Sequence, residues 1–250
     1  MLLKFSPANS KLSKLERKTK LKVYSLSLPS GVTCPFASKC RSKAVQLPNG
    51  KYKVVDGKDT EFRCYSASQE ALYPTLYKLT RHNFNVMENA RKQDGVMGVV
   101  NLILLSLPKN AGIIRISESG DIYNNDIMLA WILVAKQRPA IKFYAYTKST
   151  PYYVQNLDKI PNNLKITASY GGSRDDLIEL HDLPNVMVVK STYEARQLKR
   201  PVDIDDSHTY RGVKRFALVI HGQQKQGSGY AKAWNRILKA RRGKKAGVSA

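Results

Sequence analysis

Six short β-prone runs punctuate this chain, and helical stretches separate several of them. They are Lys22–Leu28 (KVYSLSL), Gly112–Ser117 (GIIRIS), Ile141–Tyr146 (IKFYAY), Leu164–Ala168 (LKITA), Asn185–Val189 (NVMVV) and Phe216–Ile220 (FALVI). Strands joined through helices run parallel, because a parallel pair needs a crossover too long for a hairpin. The clearest connecting helix is Asp126–Gln137, with Asn124 or Asn125 as its cap and Arg138-Pro139 as its stop. Asp175–His181 is a shorter candidate. Ser66–Lys92 carries Leu72, Leu76, Leu79, Phe84 and Met87 at helical spacing and is broken or kinked near Pro74. The expected fold is therefore α/β, either a partial (β/α)6-type barrel or an open parallel sheet. A closed barrel of this kind takes about eight units.

One stretch near the N-terminus breaks the rhythm. Asn49-Gly50, flanked by Lys43–Leu47 and Lys51–Val55, is the strongest short-range hairpin signal a sequence offers. A hairpin inserted over residues 41–63 leaves the chain and returns close to its origin. That matters because the three cysteines of the chain flank it. Cys34 and Cys40 precede the hairpin and Cys64 follows it, so the fold can bring all three together. Three thiols in polar loops of a chain without an apolar signal core read as a metal or cluster site rather than a disulfide framework. Thiolates are soft, charged donors suited to iron–sulfur clusters and to zinc. Three ligands leave one metal position open, for substrate on a cluster, or for water or His82 on zinc. Three unconnected buried thiols are the plain alternative.

The charge is the second constraint. Lys and Arg number 42 against 19 Asp and Glu, a net charge of +23. A surplus of this size favours a polyanionic partner, DNA or RNA. Residues 1–20 read as a basic N-terminal arm or a weak amphipathic helix through Leu12 and Leu15. Residues 21–242 then form a single α/β domain. The last helix, Ser228–Arg242, offers Lys232, Arg236, Lys239, Arg241 and Arg242 to nucleic acid. Gly243 is expected to end it, with 243–250 as a basic disordered tail. No apolar stretch reaches the ~18 residues a membrane span needs; Val96–Leu107 is too short and reads as a buried segment. A cytoplasmic location follows as an expectation.

In parallel α/β folds, ligands gather where the strands end. Read this way, the first strand delivers the cysteines and the second delivers Glu118, Ser119, Gly120 and Asp121, a candidate cofactor-binding segment. The next two deliver Lys148 and Arg174, and the last delivers His221, all candidate substrate contacts. Each has a plainer reading: the acids can cap the following helix, and Lys148 and Arg174 can be solvated charges. Gly171-Gly172-Ser173 precedes a helix, and its backbone N–H groups can hold an anion. Tyr144, Tyr146, Tyr152 and Tyr153 interleave with Lys142 and Lys148, a mixture that base stacking uses, although strand alternation buries part of it. No Ser-His-Asp order, Walker loop or His-x-x-x-His helix is present, and the histidines are too scattered to favour a zinc nuclease.

The order of these features resembles the radical S-adenosylmethionine architecture, in which a first strand leads to a three-cysteine loop and a partial βα barrel follows. The resemblance implies a 4Fe-4S cluster on Cys34, Cys40 and Cys64. It also implies S-adenosylmethionine chelating the open iron, with Glu118 to Asp121 beside the methionine amino group. The spacing departs from that pattern, being Cys-x5-Cys-x23-Cys rather than Cys-x3-Cys-x2-Cys. More specifically, the chain resembles the phage gene product 88 family. The carrying residues are Cys34-Pro35-x4-Cys40, Phe62-Arg63-Cys64-Tyr65-Ser66-Ala67-Ser68, Tyr73-Pro74, Arg115-x4-Gly120-Asp121, Phe143–Lys148 and His221-Gly222-Gln223. That resemblance implies a phage or mobile-element origin, with the host cytoplasm as location, and supplies no activity. Two functions are expected from these readings: an iron–sulfur, radical S-adenosylmethionine-like protein acting on or near nucleic acid, or a non-enzymatic basic nucleic-acid-binding protein with a structural metal or none.

Overall fold

Alternation along the strands decides how the molecule is layered. In β5 (Ile113–Ile116) and β6 (Lys142–Thr147), Ile114, Ile116, Phe143 and Ala145 face one way, while Ile113, Arg115, Tyr144 and Tyr146 face the other. The first set packs under two helices, α3 (Pro74–Ser106) and α4 (Asn125–Gln137), through Val99, Val100, Ile103, Met128, Trp131 and Ile132. The second set is covered at one end by α1 (Leu12–Thr19), whose Leu12 and Leu15 bury against Val23, Ile113 and Tyr144. The structure, a computed structural model, describes the backbone of residues 1–246 and the side chains of residues 1–240.

The remaining elements are β1 (Ser6–Pro7), β2 (Val23–Ser25), the hairpin β3 (Ser42–Gln46) and β4 (Tyr52–Asp56), and α2 (Tyr65–Leu72). After α4 and β6 come α5 (Thr150–Val154), β7 (Leu164–Ser169), α6 (Asp176–Leu180), β8 (Asn185–Val189), α7 (Thr192–Gln197), α8 (Ser207–Arg211), β9 (Arg215–Val219) and α9 (Gly229–Ala246). The large sheet has seven strands in the order β1-β2-β5-β6-β7-β8-β9, and β3 pairs only with β4. From β2 to β9 all pairings are parallel; β1 alone is antiparallel, at the edge beside β2. The sheet is open, because no pairing joins β9 to β1. Of the two architectures expected, the open parallel sheet is the one formed, and its strands sit beside one another in chain order.

Three local expectations change. Residues 1–20 are not a detached arm: β1 and α1 pack onto the sheet, and Leu3, Leu12 and Leu15 are buried. The amphipathic-helix alternative is the one realised. The break expected near Pro74 is present, with Pro74 opening α3 at a first-turn position that needs no N–H donor; what changes is that α3 runs on past Lys92, the Val96–Leu107 run continuing it beyond a kink at Asp94 and Gly95. Finally, α9 runs through Gly243 to Ala246, because a single glycine weakens a helix by only ~1 kcal/mol and does not by itself stop it. Residues 243–246 of the expected tail are therefore helical, and residues 247–250 lie outside the described residues. Among the described residues no helix is long and apolar enough to cross a membrane.

Candidate metal centre at the carboxyl edge of the sheet

The loop after β2 is pinned to its neighbours by backbone bonds. Leu28 N donates to Ser119 O at 2.9 Å, which extends the β2–β5 pairing past the strands. Gly31 sits at φ +71°, and a Cβ there would lie 2.5 Å from Ser42 O, so loop and hairpin close tightly at this glycine. Further on, the N–H groups of Ser38 and Lys39 donate to Gly171 O at 3.3 and 3.1 Å, and Ala37 bridges Gly172. The hairpin returns the chain as its sequence predicts. Arg63 then forms a two-pronged pair with Asp56 at 3.0 and 2.6 Å, and Gln224 bonds both Arg63 N and Arg63 O. These contacts fix Cys64 as the residue capping α2.

All three cysteines are free, and each is half-buried. Burial pushes the Cys34 thiol well up, and the charges of Asp121, Cys64 and Cys40 push it further. Burial and Cys40 raise Cys64 to about 11, against the backbone N–H groups of Ala67 and Ser66 and the Lys148 ammonium, which favour its thiolate. Cys34 Sγ accepts one bond, from Gly31 N at 3.4 Å. Among the described residues, no group of three or more His, Cys, Asp and Glu side chains is set to hold a metal ion. His82, the sequence's candidate for a fourth ligand, meets Leu2 O at 2.9 Å instead.

The segment Glu118–Asp121 lies beside the thiols, but its polar groups are engaged with the protein. Asp121 accepts from Ile122 N, Thr147 Oγ1 and Lys148 N at 2.7, 2.6 and 2.8 Å. Burial raises its carboxyl, and the three donors only partly offset that. Ser119 Oγ donates to the buried Glu70, which also accepts from Ser30 N and Oγ and pairs with Arg81. Glu118 accepts from Asn9 Nδ2 and, at 2.5 Å, from Ser25 Oγ. Gly120 sits at φ +76°, where a Cβ would collide with Thr33 Oγ1 and lie 2.9 Å from Leu28 O. This loop is the joint between β5 and the cysteine loop.

The other candidates separate. Lys148 donates to Ser169 Oγ at 2.7 Å, and its charge favours the Cys64 thiolate. His221 lies against the Tyr65 ring at 4.8 Å, next to Cys64. Arg174 is exposed and pairs with Asp176 at 3.0 and 2.9 Å, the solvated-charge reading. The N–H groups of Gly171 and Gly172 do hold an anion, but it is the Asp175 carboxylate, at 2.8 and 2.9 Å. Tyr144 and Tyr146 are turned inward onto Asp206, and Tyr153 donates to Ile166 O, so this group forms no stacking platform. Lys232, Arg236 and Lys239 are exposed on α9, whereas the Arg241 and Arg242 side chains lie outside the described residues.

The family model described as Gene product 88 matches residues 1–246. The chain belongs to the Gene product 88 family. No curated protein and no solved structure matches it. The radical S-adenosylmethionine likeness accordingly gains no support from relatives.

This Gene product 88 member also buries a charged network that sequence patterning missed. Arg115, 9 % exposed, pairs with Asp206 at 2.8 Å and lies 5.5 Å from the Tyr146 ring centre. Asp206 also receives Lys11 at 2.5 Å and the hydroxyls of Tyr144 and Tyr146 at 3.1 and 3.0 Å. Burial opposes the Asp206 charge, but Arg115, Lys11 and the hydrogen bonds outweigh it and hold the carboxyl below its ordinary range. A signal existed: Arg115 is a charge between isoleucines inside a strand, a position that needs a buried partner.

Proposed function

We propose that this Gene product 88 member is an iron–sulfur protein. Its centre lies at the carboxyl edge of the sheet, beside a basic surface for nucleic acid. What supports the reading is that Cys34, Cys40 and Cys64 are free and half-buried, with Cys34 in the field of the other two and Cys64 in the field of Cys40. Such a donor set suits a polynuclear cluster, which spaces its thiolates more widely than a single ion does. A bound cluster would supply one-electron chemistry, with one iron left open to a further ligand.

The chain's own residues have definable tasks. Cys34, Cys40 and Cys64 would bind as thiolates, so loading must displace protons. Lys148 and the N–H groups of Ser66 and Ala67 favour the thiolate at Cys64. The Asp56–Arg63 pair and Gln224 hold the Cys64 segment in place. The proposal does not extend to S-adenosylmethionine, because the polar groups of Glu118–Asp121 are committed to internal partners.

The net charge of +23 favours a second reading, a nucleic-acid-binding protein with a structural metal or none. Purification without oxygen, followed by iron, sulfide and zinc analysis, separates the two. Iron and sulfide together in a coloured protein support the cluster. Zinc alone, or no metal after reconstitution with iron and sulfide, removes it and leaves the second reading.

A further inference from the structure

We infer that the groove between the start of α7 and the face of α9 is the docking site for single-stranded nucleic acid. This deepens the nucleic-acid part of the reading above and does not depend on the metal part. The groove encloses about 430 Å³ and is lined by Lys190, Ser191, Glu194, Gly229, Lys232, Ala233, Arg236 and Ile237. Three cations thus surround a floor of small and apolar residues, and all three are exposed.

The one acid in the lining, Glu194, leaves the three cations in excess. Glu194 Oε2 accepts from Lys190 N at 2.6 Å, and Glu194 N is capped by Ser191 Oγ, so this carboxylate closes the turn after β8. Lys190 Nζ lies 5.2 Å from the Tyr230 ring centre, a cation–π contact that fixes the ammonium while leaving its charge for an anion. Lys232 and Arg236 stand one turn apart on α9, with exposed Lys239 continuing the same stripe. Phosphates spaced along a flexible strand match such a row of cations.

A concave cleft accepts a strand, whereas a duplex is normally entered by a convex helix or ribbon. The Tyr230 ring, in the first turn of α9, sits 5.3 Å from the Phe62 ring, two residues before Cys64.

The test is fluorescence anisotropy of the full chain with short labelled oligonucleotides of mixed sequence, single-stranded DNA, single-stranded RNA and duplex DNA, across a salt series. The groove variant is Lys190→Gln/Lys232→Gln/Arg236→Gln. The control is Lys51→Gln/Lys53→Gln/Lys58→Gln, an equal reduction of charge on the hairpin side. The expected result is tighter binding of single strands than of duplex, with the groove variant lowering the salt slope by about 2, at ~0.7 for each phosphate no longer neutralised. The control should keep the wild-type slope. Equal weakening in both variants, an unchanged groove variant, or preferred binding of duplex would each overturn the inference. Iron and sulfide content of the groove variant is expected to match wild type, so loss of metal and loss of nucleic-acid binding are read separately.

Discussion

Two loops leave neighbouring strands at the same edge of the sheet, and they use their chemistry in opposite ways. After β5, the carboxylates and hydroxyl of Glu118–Asp121 have partners within the protein, and Gly120 is locked against Thr33 and Leu28. After β2, the cysteine loop is anchored through its backbone, and Cys34 Sγ receives a single long contact. Position at a strand end therefore does not by itself mark a ligand site. What distinguishes the two loops is whether side-chain chemistry remains unspent once the fold has been built.

The comparison breaks if the β5 loop proves dispensable. Gly120→Ala places a Cβ in a left-handed, closely packed position and should cost about 3 kcal/mol or more. Chemical denaturation would detect this, and a variant of wild-type stability would mean the joint is not structural.

A smaller effect is expected where the hairpin meets the cysteine segment. Asp56→Asn weakens the two-pronged pair with Arg63 and should cost about 2 kcal/mol near neutral pH. The Arg63 hydrogen bond holds the Asp56 carboxyl below its ordinary value, against an opposing contribution from burial. The carboxylate's contribution is thus complete above the unfolded value of about 3.9 and disappears as pH falls through the lower folded value. Denaturation curves of wild type and Asp56→Asn should converge below about pH 4. A gap unchanged down to pH 2 would contradict the assignment.

The smallest effect belongs to the thiols. Cys34→Ser should alter the stability of metal-free protein by no more than about 1 kcal/mol, because little in the fold depends on Cys34 Sγ. A loss of several kcal/mol would make Cys34 a packing residue and weaken the contrast.

How much of this was legible in sequence follows from the range of each interaction. The hairpin was readable because Asn49-Gly50 is a local turn signal, and the Asn124 cap because its side chain accepts from Asp126 N, two residues on. The six parallel strands were readable from their apolar runs. Partner choice across the fold was not. Nothing local says that Glu70 takes Ser30 and Ser119, or that Asp206 takes Arg115. The sequence placed its candidate residues at the strand ends, while the division between committed and available groups among them emerged largely from long-range contacts.

The most direct measurement is iron and sulfide content per chain in Cys64→Ser and Asp121→Asn, both purified without oxygen and both shown to be folded by circular dichroism. The account predicts that Cys64→Ser loses most of its iron and sulfide while Asp121→Asn retains them. Retention by Cys64→Ser, or selective loss from Asp121→Asn, would contradict it.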